Sequence, residues 1–232
     1  RLDQLDLQNY RCFASLSIDL HPELTVLVAT NGSGKTTLLD AARVALWPFV
    51  KGFDLGSQAG KAASIQVPDV RLAKLPDGNM EPQLPSQIRA AGRWTPEQPA
   101  RVWTQARESI KASTKTLGDT QAKRLTILAE DLQRQVREGL TPVTLPLISY
   151  LGTSRLWFEG RFTSNAEETT LDSKDYSRTS GYLNCLSYSS SFKAFTAWYG
   201  WVSRALLESR IEALERKLPL DEAGQRFEHT TA

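Results

Sequence analysis

The sequence predicts an α/β domain in which a short buried strand runs through a glycine-rich turn into a helix. Two observations carry that prediction. Residues 25–45 read TVLVATNGSGKTTLLDAARVA, where the β-branched run at 26–28 has the composition of a buried strand. Leu38, Leu39, Ala42 and Leu46 then fall on one side of a helix. Upstream, Leu16, Ile18 and Leu20 alternate with polar residues, as a half-buried strand would. Two or three strands therefore precede the first helix, which departs from a simple βαβ opening.

The turn between strand and helix has the chemistry of a phosphate cradle. Asn31, Gly32, Ser33 and Gly34 lack bulk, so successive backbone N–H groups can face phosphate oxygens, with the positive end of the helix behind them. Lys35 supplies a full charge to β/γ-phosphates, and the Thr36 hydroxyl is placed to ligate Mg²⁺, with Thr37 completing the wrap. The pattern Gly-x-x-x-x-Gly-Lys-Thr departs at its first position, where Ala29 stands. That position serves loop geometry, whereas the phosphate-facing amides belong mostly to residues 31–37, so binding is expected to survive.

The remaining elements follow in order. The helix after the loop is expected to stop near Trp47, because Pro48 disfavours helix in the residue before it. Residues 51–87 read as loop with short strands. Ile88, Ala90 and residues 92–94 pair with residues 102–104 as a hairpin around the turn at 95–99. Over residues 119–138, Leu125, Leu128, Leu132 and Val136 keep helical spacing, with Lys123, Arg124, Arg134 and Arg137 on the opposite side. That basic side reads as a solvated face, with a DNA-tracking patch as the alternative. Residues 144–150 (TLPLISY) read as a second apolar strand, residues 159–180 as polar loop, and residues 191–218 as helix up to Pro219. Phe192, Phe195, Trp198, Tyr199 and Trp201 read as core or a partner interface, with base stacking as the alternative.

Composition narrows the class without naming a partner. A hydrophobic share of 41% and a charged share of 23% are those of a globular chain, and a net charge of +2 argues for neither nucleic acid nor membrane. Cys12 and Cys185 have no CxxC spacing and His21 and His229 lie far apart, so no zinc motif assembles. Two isolated cysteines suit a reducing cytosol, which sets the expected location as cytoplasmic. No apolar run has transmembrane length. The chain begins with Arg1 and runs to Ala232 without a stop signature, and it reads as incomplete.

The segment Asn9-Tyr10-Arg11-x-Phe13, the alternating strands and the run from Asn31 through Lys35 to Ala41 together resemble the opening of SMC/RecF-type ABC ATPases. These are the ATPases of chromosome maintenance, double-strand-break repair and the overcoming-lysogenization-defect nucleases. The resemblance implies an ABC-type P-loop fold with an antiparallel β region and the start of an α-helical lobe. Residues 1–158 would be the N-terminal part of the nucleotide-binding domain, and residues 159–232 a polar loop and helical lobe. It implies ATP and Mg²⁺ as cofactors, the triphosphate wrapped by Asn31 to Thr37 with Lys35 as the catalytic cation, and Arg11 near the nucleotide. An ion-pairing role at the strand end is the alternative for Arg11. Such ATPases carry a Gln after the strand that ends at Tyr150. Ser154 and Arg155 stand there instead, with Arg155 a candidate contact to γ-phosphate or nucleic acid.

A second resemblance covers residues 144–200, carried by the run from Leu145 to Trp157 with Arg178, Gly181, Tyr182, Cys185, Leu186 and Trp198. It is to the ATPase subunits of Septu-type and retron-linked anti-phage systems, and implies an HNH-type nuclease partner. The family also places a Walker B carboxylate, a Ser-Gly-Gly signature and a switch His after the helical lobe. None of the three is found in these 232 residues. The chain thus reads as the N-terminal part of an ATPase whose hydrolysis requires a homo-oligomer closed by ABC-type dimerisation. The expected function is Mg-ATP-driven dimer closure that signals to the nuclease. The alternatives are a repair or chromosome ATPase that grips DNA itself, and a low-turnover nucleotide-sensing scaffold.

Overall fold

The computed structural model describes residues 1–57, 63–95, 99–139, 143–150, 178–183, 185–186, 203–204, 206–211 and 214. The chain divides into two compact units, Arg1–Gly160 with Tyr176–Ser189 and Arg161–Asp175 with Ser190–Ala232. In the second unit the described residues 203–204, 206–211 and 214 are helical, inside the helix expected over 191–218. The aromatic group at 192–201, like Ser154 and Arg155, lies outside the described residues.

In the first unit, two strands open the chain as expected, and β1 (Leu2–Tyr10) and β2 (Phe13–Asp19) pair as a hairpin, with Leu7 opposite Leu16. Alternation sends Leu5 and Leu7 into the core and leaves Gln8 exposed. A small ribbon, β3 (Leu72–Lys74) with β4 (Met80–Pro82), follows. The expected second hairpin is β5 (Ser86–Gly92) with β6 (Arg101–Arg107), and the two-residue β7 (Leu117–Gly118) ends the sheet. Its order is β2-β1-β5-β6-β7, with every adjacent pair antiparallel.

Two helices, α1 (Lys35–Val50) and α2 (Thr120–Arg137), pack against each other and against the sheet. The α2 start is capped by Asp119, whose carboxylate accepts from Ala122 N at 2.7 Å. Its apolar stripe, Ala122, Leu125, Ala129 and Leu132, meets Val44, Phe49, Ile88 and Trp103 in one core. Aromatic rings extend that core. Phe49 stacks on Trp94 at 4.1 Å and Phe53 on Tyr182 at 3.9 Å. Tyr182 closes a 3₁₀ turn, Arg178–Tyr182, so the turn is anchored by a ring whose burial contributes about 1.5–3 kcal/mol.

Three expectations require correction. The run at 26–28 is not a strand: no ladder pairs it among the described residues, and Val26 and Val28 are 69% and 90% exposed. Its pattern suits a buried strand, but pairing needs a neighbour that these residues do not supply. Residues 144–150 likewise carry no ladder, with Leu147 exposed. Finally, α1 does not stop at Trp47 but runs through Pro48 to Val50. Proline removes the N–H that would reach the carbonyl four residues back, at Val44. Gln105 Nε2 on β6 donates to that carbonyl instead, and Trp103 Nε1 donates to Ala45 O at 2.8 Å. The sheet thus satisfies the carbonyl that Pro48 leaves open, and the helix continues.

Candidate functional site

The glycine-rich turn adopts the backbone its residue types allow. Gly32 and Gly34 have φ of 83° and 95°, in the region that favours glycine. Around Gly32 nothing would meet an added Cβ within 4 Å, so this side of the turn is open. Gly34 differs: a Cβ there would lie 2.5 Å from Phe13 Cζ and 2.9 Å from Cys12 Sγ. The tip of the β1–β2 hairpin is therefore packed directly on the loop that starts α1.

Gly34 is the N-cap of α1, and its carbonyl accepts the first helical bond, from Leu38 N at 3.0 Å. No side chain caps the helix and its first turn holds no acid. The amides at 35–37 thus start α1 without a side-chain acceptor, at the positive end of the helix dipole. Lys35 Nζ donates to Ala29 O and Thr30 O, each at 2.7 Å, and Ser33 Oγ donates to Thr30 O at 2.8 Å. Among the described residues no carboxylate pairs with Lys35, so its charge rests on two neutral carbonyls. Asn31, Gly32, Ser33 and Thr36 are exposed, whereas Thr37 is buried. Of the two adjacent hydroxyls, Thr36 is the one that faces out.

Arg11 occupies a strained position beside this loop. It has φ of 49°, two residues after Asn9 at 51°, and both are non-glycine residues in the left-handed region. Its side chain is held by two acids: Nη1 donates to Asp40 Oδ2 at 2.6 Å and Nε to Asp69 Oδ1 at 2.8 Å. The backbone adds Arg11 N to Asp69 O at 2.7 Å. Burial works against the Arg11 charge, but Tyr10 and the hydrogen bonds to Asp69 and Asp40 outweigh it and raise its pKa above the ordinary arginine value. The ion-pairing alternative for Arg11 is thus realised, on a side chain that remains 29% exposed.

Asp40 is the residue that sequence reasoning left without a role. It is 2% exposed, on α1 between Thr37 and Val44, and its other oxygen accepts from Tyr150 Oη at 2.8 Å. Arg43, also buried, lies 3.8 Å from the same carboxylate and 5.5 Å from the Tyr150 ring. An acid on the apolar stripe of a helix is the signal that could have found it, since a buried carboxylate demands cationic or hydroxyl donors.

Comparison with known proteins gives short local matches and one family match. Aligned over 47 residues, the chain is 45% identical to the DNA double-strand break repair Rad50 ATPase of Halobacterium salinarum. It is 42% identical over 41 residues to the DNA replication and repair protein RecF of Staphylococcus epidermidis, and 40% over 55 residues to the OLD nuclease of Thermus scotoductus. These alignments cover 20%, 18% and 22% of this chain, and 5%, 11% and 10% of the respective relatives. The chain therefore spans a small part of the curated relatives it matches. A family model extends the match to nearly the whole sequence: over residues 4–226 the chain belongs to the AAA domain family.

Proposed function

We propose that this chain is the nucleotide-binding part of an SMC/RecF-type ABC ATPase that takes Mg-ATP. The observation that carries the reading is the loop itself: two left-handed glycines, a helix start without a side-chain cap and a lysine that no carboxylate among the described residues pairs with. A triphosphate fits this donor set, because the backbone amides of the turn, the Ser33 and Thr36 hydroxyls and the Lys35 ammonium can all donate to phosphate oxygens. Lys35 would leave its two carbonyls for the β/γ-phosphates, and Asn31 through Thr37 would supply amides. Thr36, exposed beside them, is the hydroxyl for Mg²⁺. When bound, Mg²⁺ neutralises phosphate charge and orients the nucleotide. In this reading Arg11 borders the same loop, since the residues that follow it, Cys12 and Phe13, pack on Gly34.

The carboxylate that polarises water and the signature motif belong, in this reading, to a part of the protein outside these 232 residues. A second protomer closes over the nucleotide. What closure drives has two forms. One is signalling to an HNH-type nuclease in anti-phage defence, for which the support is the resemblance over 144–200. The other is a DNA-repair transaction, supported by the names of the Rad50 and RecF relatives. A low-turnover scaffold role gains nothing from the geometry.

The test is Mg-ATP titration of the full-length protein and of Lys35→Ala by calorimetry. Loss of one charge-assisted phosphate contact is expected to weaken binding by about 10–100-fold. Equal affinities would refute the site. Turnover stimulated by duplex DNA alone would favour the repair form, and turnover that depends on a co-purifying nuclease subunit the defence form.

A further inference from the structure

We propose that Asp40 and Tyr150 are positioning residues for Arg11, and that through them the nucleotide site is coupled to residues 143–150; this rests on the nucleotide reading above. One carboxylate joins the two sides: Asp40 Oδ2 holds Arg11 Nη1 at 2.6 Å while Oδ1 holds Tyr150 Oη at 2.8 Å. Asp40 lies on the helix whose N-terminus forms the cradle, so a displacement of that helix or of Arg11 is felt at Tyr150. The left-handed backbone at Asn9 and Arg11 persists because its surroundings hold it: Asn9 Nδ2 donates to Pro85 O at 3.2 Å, and Asp69 binds Arg11 twice.

The far side is equally defined. Tyr150 N donates to Cys185 O at 2.8 Å, Tyr182 Oη to Pro146 O at 2.7 Å, and Arg178 Nη2 to Val143 O. Among the described residues no sheet ladder fixes residues 143–150. Their position relative to α1 depends on the packing of Val143, Leu145, Ile148 and Tyr150 on the core together with these hydrogen bonds, and the Tyr150 hydroxyl is bonded to Asp40 on α1 itself. A nucleotide phosphate that attracts Arg11 competes with Asp40 for its guanidinium. The carboxylate then rebalances toward Tyr150 and Arg43, and residues 143–150 are held more tightly. The coupling is reciprocal, so loosening Tyr150 lowers affinity for nucleotide.

The experiment uses the full-length protein, with ATP affinity and amide hydrogen exchange of residues 143–150 measured with and without Mg-ATP. Tyr150→Phe keeps the ring beside Arg43 and removes only the hydroxyl. Wild type is expected to show ATP-dependent slowing of exchange over 143–150. In Tyr150→Phe that slowing disappears and ATP binds about 5-fold more weakly or worse. Arg11→Ala weakens ATP as well, and the double variant binds no worse than the weaker single variant, since both break one path. Effects that multiply in the double variant, or slowing that persists in Tyr150→Phe, overturn the proposal while leaving the nucleotide site intact. If wild type and Lys35→Ala bind ATP equally, the nucleotide reading fails and takes this inference with it.

Discussion

Replacing Gly34 by alanine should injure this protein more than the same change at Gly32, for a reason that can be worked through in numbers. Both residues have positive φ, so each alanine pays left-handed strain of about 1–2 kcal/mol, offset by about 0.5 kcal/mol from a less flexible unfolded chain. At Gly32 the count stops there, because no atom lies within 4 Å of the new methyl. At Gly34 the methyl would sit 2.5 Å from Phe13 Cζ, 2.8 Å from Phe13 Cε2 and 2.9 Å from Cys12 Sγ. Overpacking of that kind adds about 1–3 kcal/mol, for a total of roughly 2–4 kcal/mol against about 1 kcal/mol at Gly32. Urea denaturation of the full-length variants, followed by far-UV circular dichroism, reads the difference as a larger fall in midpoint for Gly34→Ala. Phe13→Leu removes the colliding ring atoms, so it should recover about 1–2 kcal/mol in the Gly34→Ala background and nothing in the Gly32→Ala background. Equal losses at the two glycines, or no recovery with Phe13→Leu, would show that the hairpin tip does not pack on the loop as described.

Two further predictions concern the helix and the cysteines. Gln105→Met leaves the buried Val44 carbonyl without its donor and should cost about 1–3 kcal/mol beside Pro48, but under about 1 kcal/mol in a Pro48→Ala background, where the restored N–H serves the same carbonyl; additive losses in urea denaturation would refute this. Pulse alkylation with mass spectrometry should label exposed Cys12 first and more slowly when Mg-ATP occupies the adjacent loop, whereas Cys185 stays protected at neutral pH. Burial pushes the Cys185 thiol up to about 12 from 9.0, so the native state keeps a proton that the unfolded chain releases within that window. This part of the stability is complete below pH 9, falls as pH rises toward 12, and should be removed by Cys185→Ala.

The features legible in the sequence are those whose cause is local. The glycines at 32 and 34, the lysine that follows and the α2 stripe with Leu125 and Leu132 announce themselves by residue type and period. The strand at Leu16 and Ile18 follows from alternation, and the β5–β6 hairpin from two short runs around a turn. The misread features depend on distant partners. Pro48 breaks a helix unless something supplies its missing donor, and that donor, Gln105, comes from another element. The apolar run at 26–28 and the TLPLISY segment have strand composition, yet composition cannot provide the neighbouring strand that pairing requires. Asp40 reads as one more polar residue in a helix until the fold surrounds it with Arg11, Arg43 and Tyr150.

The same distinction bears on nucleic acid. Read from sequence, the outer side of α2 is basic, but in the fold its arginines are largely spoken for. Arg134 pairs with Asp131 at 2.6 Å and Glu138 at 3.6 Å, and Arg137 pairs with Asp54 from the segment after α1. These pairs are exposed and individually weak, so they add little stability. Their consequence is electrostatic: an arginine already beside a carboxylate brings less field to a phosphate backbone, and affinity for DNA rests on cations that displace condensed counterions. The outer face of the sheet offers no substitute, since it sets Asp6 opposite Arg89 among Gln, Ser and Thr side chains. For Arg134 and Arg137 the solvated face is therefore the reading that these pairs favour. Lys123 and Arg124 are exposed on the same helix outside these pairs, and a DNA contact made by α2 would have to use them.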